Sequence, residues 1–213
     1  MLRWFDENQR AFPWREDRAT KYQQIVSEIL LQRTKAETVA KYYDTFFSKY
    51  PDWEALCSAT LEDLEEVMKP LGLYRHRARR LYKLCEDLRR RGGQLPGDVN
   101  ELRDSGFIGL YVTNAFELFI LRNRKPLLDV NMSRLLKRYF QPGDFIDVRF
   151  DKEVQDLAND IIEVRRCKEL NWAILDYAAL VCKTRNPLCG ECVLNKHCKY
   201  YELSQGDVTE EPE

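Results

Sequence analysis

The sequence predicts an all-α fold. Three observations carry this prediction. Apolar residues recur every three to four positions along most of the chain. No stretch alternates with the period of two that a half-buried strand needs. Glycine and proline number only nine and eight in 213 residues, below the roughly 12% of an average chain, which disfavours turn-rich sandwiches and barrels. With 44% hydrophobic and 32% charged residues, the chain has enough apolar material for a core, and wholesale disorder is excluded.

Taken in order, the N-terminus meets charge at Arg3 and Asp6 before any apolar run develops, so no secretory signal is expected. No run approaches the ~18 apolar residues of a membrane span. These readings predict a cytoplasmic, nucleoid-associated protein with reduced cysteines. Tyr22, Ile25, Val26, Ile29 and Leu30 form the first clear helical stripe. The stripe is repeated by Tyr111, Val112, Ala115, Phe116, Phe119 and Ile120. Further stripes are Val154, Leu157, Ala158, Ile161 and Ile162, then Leu170, Ala173, Ile174, Tyr177, Ala178 and Val181. Breaks at Pro51, Pro70-Leu71-Gly72, Gly92-Gly93, Pro96-Gly97, Pro142-Gly143 and Pro187 divide the chain into nine or ten helices. There is no internal repeat, and the acidic segment 202–213 reads as a frayed tail.

The net charge of −1 conceals an uneven distribution. Residues 51–68 carry six acids and no Lys or Arg, whereas residues 69–91 carry nine Lys or Arg against Glu86 and Asp87. Residues 122–138 carry six bases against Asp129 alone. Such basic stretches suit phosphate binding, although a solvated helix face has the same composition.

Four of the seven cysteines, Cys182, Cys189, Cys192 and Cys198, fall within 17 residues after the last apolar stripe. Four soft thiolates on a short loop suit a soft metal centre. Zinc usually takes two paired knuckles with a longer gap between them. One C-x2-C flanked by single cysteines suits instead the four corners of a [4Fe–4S] cubane. Cys57, Cys85 and Cys167 read as small buried hydrophobes, and disulfides are not expected in a reduced compartment.

The C-x6-C-x2-C-x5-C loop resembles the cluster signature of the endonuclease III and MutY superfamily of DNA glycosylases. Other segments fall in that family's order. Residues 28–34, Glu-Ile-Leu-Leu-Gln-Arg-Thr, resemble its early helix and DNA-contacting turn. Leu71-Gly72-Leu73-Tyr74-Arg75 resembles its Gly-Leu-Tyr loop. Residues 105–111, Ser-Gly-Phe-Ile-Gly-Leu-Tyr, fall at its helix-hairpin-helix, and Leu127–Asn131 falls at its catalytic aspartate. Within the superfamily, the Glu-Ile-Leu-Leu-x-Arg-Thr stretch, Tyr111, Asp-x-Asn at 129–131 and Arg138-Tyr139-Phe140 look most like the MIG-type thymine glycosylases of G·T mismatches.

The resemblance implies roles residue by residue. Asp129 would stabilise the positive charge that develops on deoxyribose as an N-glycosidic bond breaks, and would orient the attacking water. The same carboxylate is equally suited to cap the helix that follows it. Tyr111 stands where bifunctional members carry a lysine nucleophile, and a phenol cannot form a Schiff base. Glu28 would read or protonate the extruded base. Gln32, Arg33 and Thr34 would enter the gap left by the flipped nucleotide, Tyr74 would wedge into the stack, and Arg75, Arg77, Arg79 and Arg80 would hold phosphates. Gly106, Ile108 and Gly109 would present hairpin N–H groups to a phosphate, with Phe107 replacing the family's first glycine. Asn131 completes the DNA-contacting set.

The expected architecture is a six-helix lobe over 19–127, ending in the hairpin, and a cluster lobe made of 1–18 plus 128–213, with a DNA groove between them. The implied activity is monofunctional removal of thymine or uracil opposite guanine, without lyase chemistry, by a monomer acting on double-stranded DNA that carries a mismatched or damaged base. Two alternatives stay open: a MutY-type adenine glycosylase, for whose additional C-terminal domain the chain leaves no room after the cluster, and a DNA-binding module without catalysis.

Overall fold

The computed structural model describes residues 1–104, 109–140 and 151–206. Every regular element among them is helical. The described residues hold twelve α-helices rather than nine or ten, because short helices such as Trp53–Ser58 and Val99–Asp104 occupy stretches too brief to show a stripe. None is long and apolar enough to cross a membrane. The chain forms two compact units, one of residues Ala11–Asn123, the other of Met1–Arg10 with Arg124–Glu213.

The first unit holds α2 (Lys21–Leu31), α3 (Ala36–Lys49), α4 (Trp53–Ser58), α5 (Leu61–Met68), α6 (Tyr74–Arg90), α7 (Val99–Asp104) and α8 (Leu110–Phe119). Local sequence sets their starts. Thr20 and Gln23 form a reciprocal capping box at α2, and Thr60 and Asp63 form one at α5. The Asp52 carboxylate caps α4 by accepting from Ala55 N at 2.8 Å. Each such cap satisfies orphan N–H groups and is worth about 1 kcal/mol. The stripes then meet: α2 packs on α8 and α3, and α6 packs on α4 and α5. Val26, Phe46, Leu56, Leu64, Met68, Leu81 and Ala115 are excluded from solvent. Residues 11–18, assigned by the sequence to the other lobe, pack here instead. Phe12 stacks on Trp14 at 4.7 Å, and Trp14 lies 6.2 Å from the Tyr43 ring.

Two cysteines read from sequence as unpaired hydrophobes are joined. Cys57 of α4 and Cys85 of α6 form a disulfide with their Cα atoms 4.8 Å apart, correcting the expectation of reduced cysteines. Helix packing brings the two together over a separation of 28 residues, which no local pattern shows. Closing a loop of that length restricts the unfolded chain and stabilises by about 2–4 kcal/mol. Cys85→Ala should therefore lower Tm by roughly 5–15 °C. A wild-type Tm that reductant leaves unchanged would contradict the cross-link. Cys167 is buried and unpaired, as expected.

The second unit holds α1 (Leu2–Asn8), α9 (Val130–Phe140), α10 (Lys152–Ile161), α11 (Cys167–Leu180) and α12 (Lys199–Gly206). Helix α9 packs against α10, α11 and α12, and α1 lies on α11. Leu127, Met132, Ala158, Ile162, Ala173 and Ala178 form its core. The Asn171 carboxamide is fully buried and ties the strandless segment before α9 to α11: it accepts from Leu127 N at 2.6 Å and donates to Lys125 O and Cys167 O. Leaving any of these groups unpaired in the core would cost about 1–3 kcal/mol, so this segment, and Asp129 two residues on, is held in place. Buried Asp176 of α11 accepts from the backbone N and Nε of Arg10 at 3.0 and 2.8 Å, fastening the N-terminal segment.

Candidate active site and cysteine loop

Asp129 occupies the position that starts α9. Its Oδ1 accepts from Asn131 N and Met132 N, both at 2.8 Å, and its Oδ2 accepts from Asn131 Nδ2 at 2.7 Å. The carboxylate is thus a helix cap, as one reading of the sequence allowed. Capping and sugar stabilisation are compatible, since the positive end of α9 favours the ionised form. Burial works against it and is the larger effect, pushing the Asp129 carboxyl above the usual aspartate range despite these hydrogen bonds and the nearby Arg134 charge.

The chain of contacts continues inward. Asn131 Oδ1 accepts from Arg134 Nη1 at 3.1 Å, while Arg134 donates Nε to Cys182 O at 3.1 Å and Nη2 to Ala178 O at 2.8 Å. Asn131 is therefore the link between the carboxylate and a half-buried guanidinium on the cysteine loop. Arg134 was missed from the sequence; the only signal was its place one turn after Asn131 on the same helix face. Val130, next to Asp129, is 66% exposed, the most solvent-open large hydrophobic residue described.

In the other unit, Glu28 lies on the inward face of α2 and is buried, 3% exposed. The Tyr111 hydroxyl of α8 donates to Glu28 Oε2 at 2.7 Å. Two residues separated by 83 positions and singled out from sequence are thus brought into direct contact. The packing of α2 on α8 does this. Gly109 precedes α8 in an extended conformation and is exposed. Gly106, Phe107 and Ile108 lie outside the described residues.

Gln32, Arg33 and Thr34 follow α2 in a turn whose Arg33 has a φ of 58°. Gln32 Oε1 is buried and accepts no hydrogen bond. Tyr74 opens α6 and is half-buried, with the exposed Arg75 guanidinium 5.6 Å over its ring and 3.9 Å from Glu65. The residue before it is the more prominent. Leu73 has a φ of 46° and is 51% exposed. Sequence reasoning missed it, although an apolar residue after the obligatory left-handed Gly72 (φ 67°) was a signal. Arg77 requires a correction. It was grouped with Arg79 and Arg80 as a phosphate contact, but its side chain is 3% exposed and its guanidinium is spent on protein carbonyls. The α6 stripe places position 77 inward, beside Ala78, Leu81 and Leu84.

The cysteine loop is organised around its sulfurs. The buried Tyr177 hydroxyl donates to Cys192 Sγ at 3.2 Å and accepts from Val193 N at 2.8 Å. Arg138 donates Nη1 to Cys182 Sγ at 3.5 Å and to Lys183 O at 2.6 Å, and its guanidinium lies 4.6 Å over the Tyr200 ring. Cys198 Sγ donates to Arg138 O at 3.4 Å. Burial, then repulsion among the four thiols, pushes Cys189 and Cys198 above the usual cysteine range. Among the described residues, no three His, Cys, Asp or Glu side chains converge closely enough to hold a single metal ion. The donor set is nonetheless all thiol, and Cys182 and Cys192 already accept an N–H and an O–H donor at sulfur, which fits a thiolate-bound cluster.

Comparisons with known proteins bear on the family and the fold. Over 204 residues the chain is 30% identical to the Thymine/uracil-DNA glycosylase of Methanothermobacter thermautotrophicus, covering 95% of this chain and 91% of that protein. It is 30% identical to the mouse Adenine DNA glycosylase over 96% of its own length, but spans only 42% of that protein. A solved structure described as a thermostable thymine-DNA glycosylase superposes with a TM-score of 0.84 at 30% identity, covering 95% of this chain and 93% of the other. The family model described as HhH-GPD superfamily base excision DNA repair protein matches residues 26–162, a span that takes in Glu28, the 32–34 turn, Tyr111 and Asp129, and the chain belongs to that superfamily.

Proposed function

We propose that this protein is a monofunctional DNA glycosylase that removes thymine or uracil mispaired with guanine. The observation that carries this reading is the Tyr111–Glu28 hydrogen bond at 2.7 Å. It sets a phenol against Glu28, and the resemblance read from the sequence puts lysine at this position in lyase-competent members. Attack on the sugar then falls to water, with Asp129 stabilising the developing oxocarbenium charge. Glu28, its carboxylate held by the Tyr111 hydroxyl, would face the extruded base and assist its departure. The 32–34 turn and the Leu73-Tyr74 turn would fill the space that the base vacates, because an apolar wedge offsets part of the unstacking cost of a few kcal/mol.

Cys182, Cys189, Cys192 and Cys198 would hold a [4Fe–4S] cluster. One C-x2-C flanked by single cysteines suits the four corners of a cubane. When bound, the cluster would supply structural cross-linking of the loop. Lys183, Arg185, Lys196 and Lys199 would then face phosphates. The protein would act as a monomer on mismatched double-stranded DNA.

The base is tested with duplexes carrying G·T, G·U, G·A and 8-oxoG·A, each scored for alkali-labile sites under single turnover. Cleavage confined to G·T and G·U supports the proposal, and adenine release from the G·A duplexes would replace it with the MutY-type reading. Tyr111 provides a second prediction. Borohydride should trap almost no wild-type adduct, whereas Tyr111→Lys should introduce trapping and strand nicking, because an amine there can attack the sugar. Efficient trapping of wild type would contradict the assignment.

A further inference from the structure

One buried cation joins two strained turns. Arg33 and Leu73 both hold left-handed backbone angles, φ 58° and 46°, that non-glycine residues adopt at a cost of order 1–3 kcal/mol. Such strain persists only where the surroundings enforce it. Here the enforcing group is Arg77. Its Nη1 donates to Leu71 O at 3.0 Å and to Gly72 O, and its Nη2 donates to Gln32 O at 2.6 Å and to Thr34 Oγ1. Thr34 Oγ1 in turn donates to Leu71 O at 3.4 Å. One planar fork therefore bonds both turns, reaching Gln32 from 45 residues away in sequence.

The arrangement is expensive for mere packing. The side chain is 3% exposed, its hydrogen-bond acceptors are all neutral, and Nε is buried without a partner. A buried charge with no counter-charge is costly, and an apolar side chain of similar size would fill the space more cheaply. A rigid five-donor fork provides what an apolar residue cannot, which is a fixed relation between two backbone segments. Both segments carry a candidate for the vacated space: Gln32, with its unsatisfied buried Oε1, and Leu73, with half its surface open.

We propose that Arg77 is a positioning residue that locks the 32–34 and 72–74 turns into one wedge, so that the two enter DNA together and base extrusion is a single concerted event. The proposal rests on the glycosylase reading above. Were the turns independent, one could enter the stack while the other lagged, and a partly extruded base would fall back.

The test uses full-length protein and a G·T duplex with 2-aminopurine beside the mismatched thymine, followed by stopped-flow fluorescence. Wild type should give one extrusion phase. Arg77→Lys keeps the charge but loses the fork. It should retain helical circular dichroism, slow extrusion by about 10- to 100-fold, as expected from losing one charge-assisted hydrogen bond, and split the signal into two phases. Affinity for a duplex with a tetrahydrofuran abasic analogue, which has no base to extrude, should change less than about threefold, or about 0.65 kcal/mol. If Arg77→Lys does not fold, Thr34→Val removes a single acceptor and should still slow extrusion. Wild-type extrusion kinetics in the folded variant, or equal losses on the abasic-analogue duplex, would overturn the coupling. A wild type that gives no extrusion signal on any mismatch would instead contradict the glycosylase reading itself.

Discussion

Asp129→Asn is expected to abolish base excision, by about 10³-fold or more under single turnover, while leaving affinity for a mismatched duplex within a few-fold of wild type. In the proposed mechanism the carboxylate acts on charge that appears only as the glycosidic bond breaks, and asparagine caps a helix as well as aspartate does. The fold should therefore survive. The sign of the stability change follows from the raised carboxyl pKa. A carboxyl that holds its proton more tightly when folded loses stability as pH rises from its ordinary value of 3.8 through the folded value. That cost grows as pH rises, and asparagine, which does not titrate, removes it, so Tm should not fall relative to wild type as pH is raised. Excision needs the ionised form, and its acid limb should lie above that of an ordinary aspartate. Asn131→Ala deletes the 2.7 Å donor to Oδ2, a hydrogen bond that favours the ionised form, and should move that limb further up. Near-wild-type excision by Asp129→Asn would dispose of the mechanism.

Cys192→Ser should have the largest effect on folding. Anaerobically purified wild type is expected to show a broad band near ~400 nm and about four irons per chain. The variant should lose both, and with them more than ~10 °C of Tm, because metal binding and local folding are coupled. The change also removes the sulfur that the buried Tyr177 hydroxyl donates to. Stoichiometric zinc without iron or sulfide in wild type would contradict the cluster assignment.

The helical class and the long helices were legible because their stripes are local and periodic; α2 and α11 show this most clearly. Family membership was legible in the ordered segments around Glu28, Tyr111 and Asp129. What sequence did not show was set by tertiary packing. The Cys57–Cys85 disulfide depends on α4 lying against α6. Arg77 looked like one more base in a basic run, and only the inward face of α6 shows it to be a buried clamp. Leu73 was overlooked beside Tyr74 because composition cannot distinguish a left-handed, exposed leucine from a core one. The helix cap at Asp129 was foreseeable, since a carboxylate at a helix start can accept the first free N–H groups.

In the proposed mechanism water, not a protein amine, displaces a mispaired pyrimidine. Mass spectrometry of a G·T duplex after single-turnover incubation, before any alkali or heat, tests this. Free thymine and an intact abasic strand should appear in equal amounts, with no enzyme–DNA adduct after borohydride. A strand nicked at the abasic site with a β-elimination end, or no thymine release from G·T while adenine leaves G·A, would contradict it.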